Sequence, residues 1–173
     1  MKETAYLKES KELVKDLMKI PVLSPLKERD IKNLIKMSKI RTYEAGEVIC
    51  EEGLNDKWIF FLTKGRVRIV KEGRELSVLE KRGDIFGEMS VIDGQPRSAS
   101  VYAIDTTVCL ATDTLYIEKL QDHEKIAFRY LIYRIFAEIL SSRLRESNIE
   151  LVQAKNRFGL TFIKKITNRL FSS

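Results

Sequence analysis

The sequence predicts an α+β protein in which a block of short β-strands lies between helical segments. Three observations predict it. Apolar residues recur at helical spacing up to about residue 39 and again after Glu118. Between these stretches they form short β-type runs. Gly46, Gly53, Gly65, Gly73 and Gly83 divide the runs where turns are needed, the pattern of an all-β sandwich or barrel. The 173 residues, 44% of them hydrophobic, suffice for one folded unit with one ordinary core.

At the N-terminal end, Leu7, Leu13, Val14, Leu17 and Met18 predict an amphipathic helix from Thr4 to Ile20, interrupted by Pro21 and Pro25. Ser24 as N-cap and Pro25 at the first helical position then start a second helix, with Ile31, Leu34, Ile35 and Met37 as its buried stripe and its end near Lys39. The expected strands are Val48–Glu51, Trp58–Thr63, Arg66–Lys71, Glu75–Lys81, Ser100–Ala103, Thr107–Ala111 and Thr114–Ile117, with a tight hairpin at Gly73-Arg74. After Glu118, the residues Ile126, Phe128, Leu131, Ile132, Ile135, Phe136, Ile139, Leu140 and Leu144 give a broad apolar face. It is wider than packing on one small β-domain requires, which points to a homodimer through residues 126–152. From Arg157 to Phe171 a short basic amphipathic helix is expected, with Phe158, Phe162, Ile163, Ile166 and Leu170 on one side and Lys164, Lys165 and Arg169 on the other. Docking on its own domain or dimer, a partner, or a membrane surface are the roles open to it.

Charge and composition exclude several classes. The net charge of +6 divides into +5 over residues 1–42, −3 over 43–149 and +4 over 150–173. A polyanion-binding body needs clustered cations, and the mildly acidic middle lacks them. Cys50 and Cys109 lie singly in apolar runs, so neither a disulfide framework nor a metal site is expected. Without a signal-peptide core or a long apolar stretch, the expectation is a cytoplasmic protein with no transmembrane segment. The single histidine, His123, sits in a charged helix-start stretch with no nucleophile motif beside it, which argues against an enzyme, and no cofactor is expected.

The segment Arg82 to Ala99 is longer than a connection between strands requires. Phe86 and Met89–Ile92 would anchor it, while Gly87 lets the backbone turn and approach a ligand. A short helical turn starting near Glu88 would aim unpaired amides at an anion, and Arg97 adds a donor fork suited to phosphate oxygens. Glu88 would repel a phosphate unless it serves a hydroxyl. Together these residues ask for a ligand with one phosphate and one sugar hydroxyl held close together. Asp84, after Gly83, is better explained by turn chemistry than as a partner acid for Glu88.

Phe86-Gly87-Glu88, then Arg97-Ser98-Ala99-Ser100-Val101, resembles the phosphate-binding cassette of cyclic-nucleotide-binding domains. Upstream, Gly46-x-Val48-Ile49, Glu52-Gly53, Asp56, Phe60-Phe61-Leu62, Gly65-x-Val67-x-Ile69 and Gly83-Asp84 are similar to the β-roll of that family in order and spacing, over roughly residues 20 to 150. The resemblance implies an antiparallel, jelly-roll-like β-roll of about eight strands, flanked by N-terminal helices, a long C-terminal helix and a short tail helix. The implied divisions are 1–40 for the N-terminal helices, 41–118 for the roll with its cassette at 83–100, 119–155 for a lid or dimer helix, and 156–173 for the tail.

It further implies that Phe86, Gly87, Glu88, Met89, Ser90, Arg97, Ser98 and Ala99 bind cyclic AMP or cyclic GMP. Glu88 would accept from the ribose 2′-hydroxyl, Arg97 would pair with the exocyclic phosphate oxygens, and amides near Gly87, Ser90 and Ser98 would complete the cradle. Ser147 and Asn148, on a helix similar to that of the catabolite activator subfamily, are the expected base contacts and favour cyclic AMP. The function implied is a sensor whose bound nucleotide moves its C-terminal helix and signals to a protein effector. That subfamily carries a helix-turn-helix domain after the long helix, and about 18 residues remain here, so DNA binding is not expected. The alternatives are a truncated regulator of that type, or a degenerate fold that only recruits protein partners.

Overall fold

The computed structural model describes residues 1–8, 11–24, 26–115 and 122–170, in two compact units, Met1–Ile135 and Phe136 onward. The described residues of the first unit form nine strands in two antiparallel sheets. One has the order β1 (Lys2–Glu3), β2 (Ser38–Tyr43), β9 (Thr107–Asp113), β4 (Trp58–Lys64), β7 (Ile85–Phe86); the other has β3 (Val48–Cys50), β8 (Ser100–Ala103), β5 (Val67–Lys71), β6 (Arg74–Leu79). Alternation along these strands buries Cys50, Phe60, Leu62, Val67, Phe86, Val101, Cys109 and Ala111 in one core cluster. This is the expected α+β roll, with one strand more than the sequence implied.

The β5–β6 hairpin turns on Glu72-Gly73, one residue earlier than the expected Gly73-Arg74, with φ of 49° and 75°, the two left-handed residues of a type I′ turn, and Arg74 already pairs with Lys71. Glu72 is the one non-glycine with positive φ among the described residues.

The helices depart from the sequence reading in detail. α1 covers Lys11–Met18, and residues 2–3 instead form β1, so the N-terminal helix does not start at Thr4. Val14 and Leu17 are buried, whereas Met18 is exposed. Ser24 closes a 3₁₀ turn over Pro21–Leu23 and is not the N-cap of α2, which spans Glu28–Lys36. The cap position is Lys27, whose backbone N–H donates to the Asp30 carboxylate at 3.1 Å. Ile31, Leu34, Ile35 and Met37 are all fully buried, as the stripe predicts.

Ser38–Tyr43, read as the end of that helix and the start of the β-region, is the long strand β2, paired along its whole length with β9. The strand expected at Thr114–Ile117 is not separate. β9 continues to Asp113, Thr114 and Leu115 form a 3₁₀ turn, and residues 116 and 117 lie outside the described residues.

α4 runs from Asp122 to Leu170 without a break, so the segment expected as a separate tail helix continues the long one. Within the first unit its Ile132 and Ile135 are buried, while Ile126, expected on the apolar face, is 70% exposed. In the second unit Leu144, Ile149, Leu151 and Val152 are exposed. The side chains of His123 and of the basic tail lie outside the described residues. Among the described residues no helix is long and apolar enough to cross a membrane, and no group of three acidic, histidine or cysteine side chains could hold a metal.

Candidate functional site

The excursion between β6 and β8 is fastened to the roll at both ends. Gly83 N–H donates to the Leu62 carbonyl and Leu62 N–H to that of Asp84, both at 2.8 Å. The Asp84 carboxylate accepts from the amides of Glu80 and Lys81, the turn role expected of it. Phe86, in β7, stacks on Phe60 with ring centroids 5.1 Å apart, so its ring belongs to the core and sets where the next residues emerge. Met89–Asp93 then form the short helix α3, closed by Gly94 in the left-handed region. At the far end the Arg97 amide donates to the Leu54 carbonyl and the Gly53 amide to that of Arg97, both at 2.9 Å, tying the segment to the β3–β4 turn.

Glu88 and Arg97, the two charged residues of the expected cassette, are both buried, at 1% and 4% exposure. A buried guanidinium requires partners for its donors, and here all five N–H groups have one. Nε donates to Asp56 Oδ2 at 3.0 Å, and Nη2 donates to Asp56 Oδ1 and, at 2.6 Å, to the Trp58 carbonyl. Nη1 donates to the Gly87 carbonyl at 2.6 Å and to Ser90 Oγ at 2.9 Å. The guanidinium therefore has a rear edge clamped by Asp56 and Trp58 and a front edge turned to the cassette's own Gly87 and Ser90.

Gly87, at φ +84°, has no room for a side chain, since a Cβ there would lie 2.5 Å from Arg97 Nη1. Ser98 is exposed, its hydroxyl donating to Met89 Sδ at 3.6 Å and its carbonyl accepting from Lys71 Nζ at 3.3 Å. Ala99 is half-buried next to it. Segment 86–99 thus brings Phe86 through Ser90 together with Arg97 through Ala99. Ser147 and Asn148 are exposed positions of α4 in the second unit.

Two partners of Arg97 carry little signal in the sequence. Asp56 lies 41 residues away, and in the sequence it belongs only to the pattern upstream of the cassette. Trp58 contributes a backbone carbonyl, which no residue type marks.

Residues 40–124 match the family model of the cyclic nucleotide-binding domain. The chain carries a cyclic-nucleotide-binding domain. The cyclic AMP receptor protein of Thermus thermophilus is 29% identical over 161 residues, covering 87% of this chain and 71% of that protein. The cAMP-dependent protein kinase regulatory subunit of Debaryomyces hansenii is 29% identical over 97 residues, covering 56% of this chain, which spans only 22% of that protein's length. A crystal structure of a cyclic nucleotide-binding domain from Methylobacillus flagellatus shares the fold, with a TM-score of 0.66 at 23% identity over 79% of this chain and 78% of that one. Domains of this family are regulatory modules.

Proposed function

We propose that the domain binds a purine 3′,5′-cyclic monophosphate, cyclic AMP or cyclic GMP, in segment 86–99 and passes the binding event to its C-terminal helix. The observation that carries this reading is the buried Arg97, fixed from behind by Asp56 while its front edge meets only cassette groups. A phosphate replacing the Gly87 carbonyl and Ser90 hydroxyl at Nη1 would gain a charge-assisted pair without rebuilding the rear edge. Glu88 accepts from the ribose 2′-hydroxyl in this reading. Amides near Gly87, Ser90 and Ser98 cradle the phosphate, Phe86, Met89 and Ala99 shape the segment, and the Ser98 hydroxyl turns from Met89 toward the ligand.

The Thermus and Debaryomyces relatives are cyclic AMP proteins while a Toxoplasma gondii relative is a cGMP-dependent protein kinase, so the lean to cyclic AMP rests on Ser147 and Asn148, the proposed base contacts. Differential contacts with α4 would supply a coupling free energy of about 1–3 kcal/mol. Residues 126–152, where Ile126, Leu144, Ile149, Leu151 and Val152 are exposed, are the proposed homodimer seam, and a protein effector in the cytoplasm is the proposed recipient of the signal.

The test is thermal unfolding with and without nucleotide. Saturating ligand at about 100 times its Kd stabilises a single-site protein by about 2.7 kcal/mol, roughly 10 °C for a domain of this size. Wild type should show that shift and Arg97→Ala none. Equal shifts in both would contradict the reading.

A further inference from the structure

We infer that the N-terminal segment, through Glu3 and Tyr6, braces Trp58 and thereby positions Arg97 for the nucleotide. The inference rests on the reading of segment 86–99 as the nucleotide cassette, and it adds positioning residues far from that segment in sequence.

β1 lies on the edge of the first sheet with Glu3 directly opposite Arg41. Residues opposite one another in an antiparallel pair project to the same face, so the Glu3 carboxylate can reach the cations of β2. It accepts from Lys39 Nζ at 2.9 Å and from Arg41 Nε at 3.0 Å. Both cations lie over the Trp58 ring, the Arg41 guanidinium 4.0 Å and Lys39 Nζ 5.8 Å from its centroid. Lys39 Nζ is also 4.8 Å from the centroid of Tyr6, so one ammonium contacts both aromatic rings. The Tyr6 hydroxyl donates to Asp113 at 2.9 Å, and Asp113 is the residue opposite Trp58 in the β4–β9 pair. Two lines of contact from the N-terminal segment therefore converge on Trp58, one through its ring and one through its cross-strand neighbour.

Trp58 is also half of the rear clamp. Its carbonyl accepts from Arg97 Nη2 at 2.6 Å, and its amide donates at 3.0 Å to Asp56, the carboxylate that holds the same guanidinium edge. Displacing the ring shifts the Trp58 backbone and with it the two adjoining peptides, one carrying this amide and the other this carbonyl. A loosened rear edge leaves Arg97 less organised for phosphate, so the ligand must spend part of its interaction ordering it. Backbone bonds from Thr4 N–H to the Ile40 carbonyl and from Leu7 N–H to that of Ser38 keep the segment registered on β2. Its effect is therefore on position rather than on the presence of the roll.

Trp58 is the only tryptophan in the chain, so its fluorescence reports on this joint alone. Glu3→Gln and Tyr6→Phe would be compared with wild type by calorimetric titration with cyclic AMP and cyclic GMP and by tryptophan emission. Arg66→Gln, which removes the exposed Arg66–Asp105 pair, serves as the control for a generic loss of a surface ion pair. The expected result is that Glu3→Gln weakens binding about fivefold and shifts Trp58 emission, Tyr6→Phe does the same to a smaller degree, Glu3→Asp restores part of the affinity, and Arg66→Gln changes neither readout. Unchanged affinity in both N-terminal variants, with or without an emission change, overturns the inference while leaving the cassette reading intact. Absence of cyclic-nucleotide binding by wild type overturns the cassette reading itself, and this inference with it.

Discussion

Placing a methyl group at Gly87 tests the site without touching a charged side chain. Gly87→Ala and Gly53→Ala introduce the same atom on nearly the same backbone, at φ of +84° and +81°, but the Cβ at position 53 meets nothing within 4 Å. Gly53→Ala therefore isolates the cost of a left-handed alanine, about 1–2 kcal/mol. At position 87 the new Cβ stands 2.5 Å from Arg97 Nη1, 3.2 Å from its Cζ and 3.0 Å from the Trp58 carbonyl, so the guanidinium must leave its place. Losing the two Nη1 bonds, to the Gly87 carbonyl and the Ser90 hydroxyl, adds about 3 kcal/mol or more, since each is charge-assisted. With about 3–5 °C of melting temperature per kcal/mol, Gly53→Ala should lower it by roughly 3–10 °C and Gly87→Ala by roughly 12–25 °C. Pushed off by the Cβ, the guanidinium no longer presents Nη1 to the phosphate, so Gly87→Ala forfeits a charge-assisted bond of about 1.5–3 kcal/mol, roughly a 10- to 100-fold loss of affinity, with none expected for Gly53→Ala. Thermal unfolding and calorimetry read both numbers. Equal melting temperatures for the two variants, together with wild-type affinity in Gly87→Ala, would refute the reasoning.

Two further predictions concern ionisation. Hydrogen bonding to Lys39, with the Arg41 contact, holds the Glu3 carboxyl below its ordinary value of 4.5. A group depressed on folding stabilises above its unfolded pKa and loses that contribution as pH falls through the folded one. Urea unfolding should thus show a constant gap between wild type and Glu3→Gln from about pH 8 to 5.5 that narrows below about pH 4.5. A gap that widens on acidification contradicts the pairing. Burial pushes the thiols of Cys50 and Cys109 up to about 12, so a thiol reagent at pH 8 should label neither in the folded protein and both in urea. Immediate labelling of either without denaturant would contradict their placement in the core.

The parts of the fold legible in the sequence are those fixed by local chemistry. The glycine-bounded runs became strands, the Gly73 hairpin formed where two alternating segments met, and the stripe of α2 follows from spacing alone. β1 and β7 escaped because two residues carry no periodicity, and both exist only through pairing with distant strands. β2 was obscured because Ser38–Tyr43 follows a helical stripe directly, and pairing with β9 overrides that local pattern. Ser24 looked like a cap from its neighbours, yet the 3₁₀ turn before it delays the helix to Glu28.

In the site, Arg97 was visible as a cation suited to phosphate and Glu88 as an acid suited to a hydroxyl, and the resemblance to the family's cassette joined the two. The groups that hold Arg97 from behind were not visible, because Asp56 is an ordinary loop acid until the fold brings it across and the Trp58 carbonyl is backbone. The connection from Glu3 to Trp58 likewise depends on register across four strands.

The central claim is that segment 86–99 takes a cyclic phosphate through Arg97. Calorimetric titration of the wild-type chain with cyclic AMP, cyclic GMP and 5′-AMP tests it most directly. The account predicts saturable binding of at least one cyclic nucleotide at one site per chain, with much weaker binding of the open 5′-monophosphate. No heat from either cyclic nucleotide, or equal affinity for 5′-AMP, would contradict it.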